Sequence, residues 1–271
     1  MRNSNILKLP SSRTLRDYKN FIRPNAGFRK QVLEDLIERT KDYFDTQRYV
    51  VIVFDKMKIK SNLIFDKNNE QLIGFVALGN PELNFNCYDN QKELATHTLV
   101  FYVRGLSTNL KYSLAHFATD GITAVELIPI FWDAVSYLKL TCNFWVIAVT
   151  ADGASANRRF FKLLGGKQDG ITYKIKNMEA PWRNIFLWSD APHLLKTARN
   201  CLSSQKRDLW NDDLKLKWSH IVKICCSNND DQETGLKLLP KLTQEHINLK
   251  AYSKMTVKYA AQVLSKSVAV V

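Results

Sequence analysis

The chain has 271 residues, 45% of them hydrophobic, and its 39 Lys and Arg outnumber 26 Asp and Glu to give a formal net charge of +13. That apolar share supports a sizeable core and excludes global disorder, and the length suits one large domain or two modest ones. The charge favours a polyanionic partner, nucleic acid ahead of an anionic membrane surface, and no apolar run is long enough to span a bilayer as a helix.

In chain order, residues 1–47 are polar and basic and read as a linker plus one helix. The opening MRNSNILKLPSSRTLRDY has no apolar core of signal-peptide length. Phe28, Val32, Leu33, Leu36 and Ile37 recur at helical spacing and predict a helix from about Gly27 to Tyr43, with Pro24 ahead of it. RYVVIVFDKMKI then predicts a buried strand rich in Val and Ile. SNLIFDKNNEQLIGFVAL holds two apolar runs around a polar turn at Asp66–Glu70, which predicts a hairpin. ATHTLVFYVRGL predicts another strand. DGITAVELIPIFWDAVSYLKL predicts a helix capped by Thr123, with Pro129 inside it marking a kink or a later start. FWVIAVTADG reads as a strand, ASANRRFFKLLGG as a short helix, NIFLWSDAPH as a strand and HLLKTARNCLSS as the start of a helix. Residues 191–271 are basic, poor in strands and helical in pattern, with Thr243 at a helix start and Met255, Val257, Ala260, Ala261, Val263 and Leu264 on a later apolar face.

This layout predicts an α/β fold, a mixed sheet flanked by helices, over residues 48–190, followed by a mostly helical segment over 191–271. Five cysteines, Cys87, Cys142, Cys201, Cys225 and Cys226, are odd in number and irregularly spaced, which argues for a reducing compartment and against a disulfide framework. No Cys/His set has zinc-finger spacing, and there is neither a Walker A loop nor a G-x-G-x-x-G turn.

Three apolar strands each run into a carboxylate: Asp55, Asp152 and Asp190. Strand ends of such a sheet gather side chains where ligand sites lie. Converging carboxylates suit Mg²⁺ or Mn²⁺, hard cations that take oxygen ligands, and a cation would offset the cost of placing a carboxylate at the end of an apolar strand. The plainer reading stands beside it: a strand-end Asp is often a turn residue or a helix cap, as Asp152 ahead of GASAN would be. Lys56, Lys58 and Lys60 alternate with Met57 and Ile59, which suits a nucleic-acid path or simply a solvated strand face, and His193 reads as a packed or capping histidine.

Six blocks carry a resemblance in order along the chain: LPSSRTLRDY, FDKMKIKSNLIFDKNNEQLIGF, ELATHTLVFYVRG, VTADGASANRRFFKLLG, SDAPHLLKTARNCL and KLTQEHINLKAYSKMTVKYAAQVLS. Together they resemble the P-element transposase family, whose animal members include THAP-domain transposases. The resemblance implies an RNase H-like catalytic domain whose first metal-binding Asp matches Asp55 and whose second matches Asp152. It implies Mg²⁺ or Mn²⁺ chemistry on DNA, with Lys56, Lys58, Lys60, Arg158 and Arg159 as nucleic-acid contacts. It further implies a nuclear protein, a possible homo-oligomer and no membrane association. Residues 191–271, opening on the DAPHLLK block, resemble the first part of a GTP-binding insertion, so GTP is an implied cofactor. The family's third acid follows that insertion and has no match in this sequence, nor does the zinc-binding THAP module. Lys56 stands where the family has Glu and Ala151 where it has Cys; a lysine there is expected to weaken metal binding at Asp55. The expectation is a transposase fragment that does not cut DNA by itself; the alternatives are a non-catalytic DNA- or protein-binding module that kept the fold, and a stand-alone nuclease.

Overall fold

A computed structural model describes residues 11, 26–66, 70–79, 93–166, 173–204, 208–230 and 239–270. Most of the N-terminal linker, Cys87 and the tip of the hairpin expected at Asp66–Glu70 lie outside the described residues. Two compact units divide the chain, Met1–Trp188 and Ser189–Val271.

The first unit is built on a seven-stranded sheet in the order β1-β6-β5-β2-β7-β9-β8. Its strands are β1 (Gly27–Phe28), β2 (Tyr49–Lys58), β5 (His97–Gly105), β6 (Lys111–Thr119), β7 (Trp145–Ala151), β8 (Lys174–Asn177) and β9 (Ala180–Ser189). Strands β3 (Ile64–Asp66) and β4 (Gln71–Ile73) form a separate two-stranded hairpin. β2 pairs antiparallel with β5 and parallel with β7, so it sits at the junction of the antiparallel and parallel parts of a mixed sheet. Helices α1 (Lys30–Arg39), α2 (Ala124–Ser136) and α3 (Ser155–Leu164) complete the unit.

The core explains why β2 reads as a continuous apolar run. Val50, Ile52 and Phe54 are buried, while Val51 and Val53 on the opposite face are half-buried. Phe54 stacks on Phe101 of β5, with ring centroids 5.2 Å apart, and meets Phe160 of α3 edge-on at 5.6 Å. Phe131 of α2 also meets Phe160 at 5.6 Å. These rings fix α2 and α3 over one face of the sheet, each aromatic pair adding about 1 kcal/mol beyond its buried area.

Two local findings differ from the sequence reading. Gly27 and Phe28 form a strand against β6 rather than the first turn of a helix, because Gly27 takes φ 95° and lies against Gly79. A Cβ on Gly27 would stand 2.8 Å from the Gly79 Cα, so only glycine permits this approach. α2 runs unbroken through Pro129. Its start is as predicted: Thr123 accepts from the Glu126 amide, and the Glu126 carboxylate accepts from the Thr123 amide at 2.6 Å.

The second unit is mainly helical, with α4 (Ala191–Ser203), α5 (Trp218–Asp230), α6 (Gln244–Ile247), α7 (Ala251–Met255), α8 (Val257–Val263) and α9 (Lys266–Ala269), plus the strand pair β10 (Leu209–Asn211) and β11 (Leu214–Leu216). Its buried apolar cluster holds Cys225, Leu239, Leu242, Val263 and Val268. Arg199 of α4 is fully buried, and its guanidinium donates to the carbonyls of Ser253 and Lys254 at 2.9 and 3.0 Å. It thereby satisfies acceptors at the end of α7.

A candidate metal and nucleic-acid site at the ends of two parallel strands

The register of β2 and β7 brings the two sequence-selected carboxylates to one place. Val53 pairs with Thr150 at the end of the parallel ladder. Asp55 lies two residues beyond Val53, and Asp152 two residues beyond Thr150. The two-residue period keeps Asp55 on the face of Val53, Asp152 follows directly on Ala151, the last residue of β7, and neighbouring strands lie about 4.8 Å apart. This pairing depends on the irregularity that separates Val50–Val146 from Val51–Ala148, which adds one residue to β7. Without that bulge Val53 would pair with Val149, and Asp152 would stand one residue farther along the ladder from Asp55.

The carboxylates are held differently. Asp55 is exposed, and its Oδ1 accepts the Lys56 amide at 2.8 Å. Asp152 is half-buried, and its Oδ1 accepts both the Ala154 amide at 2.9 Å and the Asn157 side-chain amide at 2.6 Å. Asp152 therefore fastens the turn into α3 rather than capping it: the N-cap is Ala154, which has no side-chain cap bond. That task occupies one oxygen and orients the other. Asp190 is a helix cap: its carboxylate accepts the His193 amide at 3.0 Å at the start of α4.

Alternation along β2 also separates Asp55 from its lysines. Lys56 and Lys58 continue the face of Phe54, opposite to Asp55. The charge expected to oppose a cation at Asp55 thus leaves the strand on the other side. Lys56, Lys58, Lys60, Arg158 and Arg159 are all exposed, the two arginines on α3 just beyond Asp152. None of the five takes part in an ion pair among the described residues.

Two carboxylates with an oxygen each to spare suit a hard cation that keeps several waters and fills its remaining positions from a phosphate. The donor set present fits such an ion in kind. Among the described residues no group of three or more His, Cys, Asp or Glu could hold a metal. Sequence reasoning named both carboxylates. It did not find Asn157, whose amide fixes Asp152; the signal was there in the helical spacing that returns Asn157 to the first turn of α3.

A mixed sheet with a carboxylate at the end of its central strand and another on the adjoining parallel strand defines a class, the RNase H-like domains. Residues 24–165 match the family described as TNP-like, RNase H N-terminal domain, and residues 192–271 match the TNP-like, GTP-binding insertion domain. The chain belongs to this family of transposases. It is 24% identical over 269 residues to the human DNA transposase THAP9, a match covering 97% of this chain and 28% of that protein. It is 26% identical over 127 residues to the Drosophila melanogaster transposable element P transposase, covering 47% of this chain and 16% of the relative. The solved Drosophila P element transposase strand transfer complex superposes with a TM-score of 0.71 at 23% identity, over 97% of this chain and 52% of that one. The likeness confirms the fold. The chain thus spans under a third of the length of the two curated relatives.

Proposed function

We propose that this chain is part of a DNA transposase that acts on DNA in the nucleus, and that Asp55 and Asp152 are two of its metal-binding residues. The observation that carries the reading is the register of β2 and β7, which sets both carboxylates at one strand end. Asp152 would hold Mg²⁺ or Mn²⁺ through the oxygen left over from its bonds to Ala154 and Asn157, and Asp55 through the oxygen not engaged with the Lys56 amide. When bound, such an ion activates an attacking oxygen and neutralises charge on the scissile phosphate. The side chains present do the rest of what this stretch contributes. Asn157 keeps Asp152 from rotating. The arginines of α3 contact phosphates beside Asp152, and Lys56 and Lys58, on the face of β2 opposite Asp55, contact phosphates farther along the path. GTP is the ligand proposed for residues 192–271, on the strength of the insertion-domain match.

The test is Mn²⁺ binding followed by electron spin resonance, paired with nicking of supercoiled plasmid. The chain is expected to bind Mn²⁺ weakly, to lose that binding in Asp55→Asn and in Asp152→Asn, and to leave the plasmid intact. Mn²⁺-dependent nicking abolished by Asp55→Ala would show that these 271 residues already hold a working centre. Binding of DNA with no Mn²⁺ bound would replace the enzyme reading with that of a binding module. A nucleotide titration with no heat and no thermal shift would remove GTP.

A further inference from the structure

The β3–β4 hairpin has no place in the reading so far. Phe65 pairs with Leu72, and Ile64 with Ile73. Adjacent residues of a strand point to opposite faces, so each face of the hairpin carries one apolar pair. Neither pair is buried: Phe65 and Leu72 are each 56% exposed, Ile64 is 64% and Ile73 52%. A hairpin with apolar side chains open to water on both sides is stable only with something against it.

Its root is fixed. Ile59 donates to Thr96 at 2.9 Å, Ala95 to Gly74 at 2.8 Å and Val76 to Glu93 at 2.9 Å. Gly74 adopts φ 129°, and a Cβ there would meet the Asn62 carbonyl oxygen at 2.3 Å, so the two strands are pinched together at their base. The hairpin follows directly on the strand that carries Asp55, and Lys56, Lys58 and Lys60 lie between them, exposed and outside any ion pair among the described residues.

We propose that this hairpin is a DNA wedge, in which Phe65 and Leu72 enter between base steps of a duplex whose phosphates are held by Lys56, Lys58 and Lys60. The proposal rests on the DNA-binding reading above. Charge decides the occupant. Exposed apolar pairs beside a row of lysines that no ion pair engages among the described residues, on a chain of net charge +13, are complementary to a polyanion with an apolar interior. Size agrees. An inserted wedge needs only one or two apolar side chains, and the hairpin supplies Phe65 and Leu72 as a facing pair. Wedges of this kind unstack a step and kink the duplex by roughly 20–90°.

The test uses the full chain and a short mixed-sequence duplex labelled at both ends. Anisotropy reads affinity, and energy transfer between the ends reads bending. The wild type is expected to bind and bend. Phe65→Ala with Leu72→Ala should hold affinity within about threefold and lose the bend, Phe65→Trp should keep it, and Lys56→Glu with Lys58→Glu should cost roughly tenfold or more in affinity at low salt. Binding with a bend that the Phe65 and Leu72 changes leave intact, or with no bend at all, overturns the wedge and spares the DNA-binding reading. No binding by any form removes both. If the alanine pair alters the mass of the chain in solution and nothing about DNA, the hairpin is a self-association surface and the wedge is wrong.

Discussion

Asp55 and Asp152 look alike in sequence, yet their surroundings predict different costs of change. Asp152 anchors two donors at the turn into α3, so Asp152→Ala should destabilise the first unit by about 1 kcal/mol, within the usual range for lost hydrogen bonds. Asparagine keeps an oxygen in the same position, so Asp152→Asn should be near neutral. Asp55 is exposed and bonded only to the neighbouring amide among the contacts described, so Asp55→Asn should shift stability by less than about 0.5 kcal/mol. Urea unfolding would measure all three, and a large loss for Asp55→Asn would mean that the carboxylate has a structural partner. Buried titratable groups add a pH dependence. Burial pushes the Cys142 thiol up from 9.0 to about 11, so the folded state holds that proton more tightly than the unfolded chain. Its contribution is complete below pH 9.0 and is lost as pH rises from there to about 11. Tyr112, raised by burial and by its bond to Asp35, adds a loss beginning near its ordinary 10.0. Burial, with Arg29 nearby, lowers His116 below 6.5, so its contribution is complete above 6.5 and falls away on acidification. Denaturant midpoints across pH should therefore decline at both ends. Cys142→Ala should flatten the alkaline limb and leave the acid one, and an unchanged alkaline limb would count against Cys142.

At the scale of elements, α2 contains the clearest local conflict. Pro129 lies five residues into the helix and cannot donate to the Val125 carbonyl, a defect worth up to about 3 kcal/mol in a helix interior. The helix persists because Leu127, Ile130, Phe131, Ala134 and Val135 bury one stripe and the Thr123–Glu126 box fixes its start. Val125 is exposed, so this turn of the helix is open to solvent. Pro129→Ala should raise stability by about 2 kcal/mol once the lost rigidity of the unfolded chain is subtracted, and a loss of stability would show that the ring packs. The same contrast explains what the sequence made legible. β2 and β7 announce themselves because a strand buried on one face and half-buried on the other needs a run of large apolar residues, and β5 and β9 because exposed aromatic residues, Tyr102, Phe186 and Trp188, extend the run on their outer face. β6 was missed: Ser113, Ala115, His116 and Ala118 dilute its pattern, and only its neighbours in the sheet make it a strand. β1, β8, β10 and β11 are four residues or shorter, below the length at which a period can be seen. The carboxylates of the site were visible as apolar runs ending in Asp. Their alignment was not, because it turns on a one-residue bulge in β7 that leaves no mark in composition.

For the molecule as a whole, the division into two units with separate cores governs how it comes apart. The first unit packs a large cluster around Phe54, Phe101, Phe117, Phe131 and Phe160. The cluster in the second is small, and its polar fastenings carry more of the load. His246 is the chief of these. It is buried, its Nδ1 accepts the Thr243 amide at 3.1 Å, and its Nε2, which then carries the proton, donates to the Gln262 side-chain oxygen at 2.8 Å. The ring thus ties the start of α6 to α8. Removing it leaves a backbone donor and a side-chain acceptor without partners, at about 1–2 kcal/mol. Units that bury so unequal an amount of apolar surface should not share one transition. Heating should give two steps, and hydrogen exchange read by mass spectrometry should assign the lower one to residues 189–271. His246→Ala should move that lower step down by several degrees and leave the upper one in place. A single transition, shifted as a whole by the same substitution, would mean that the two units fold as one cooperative body.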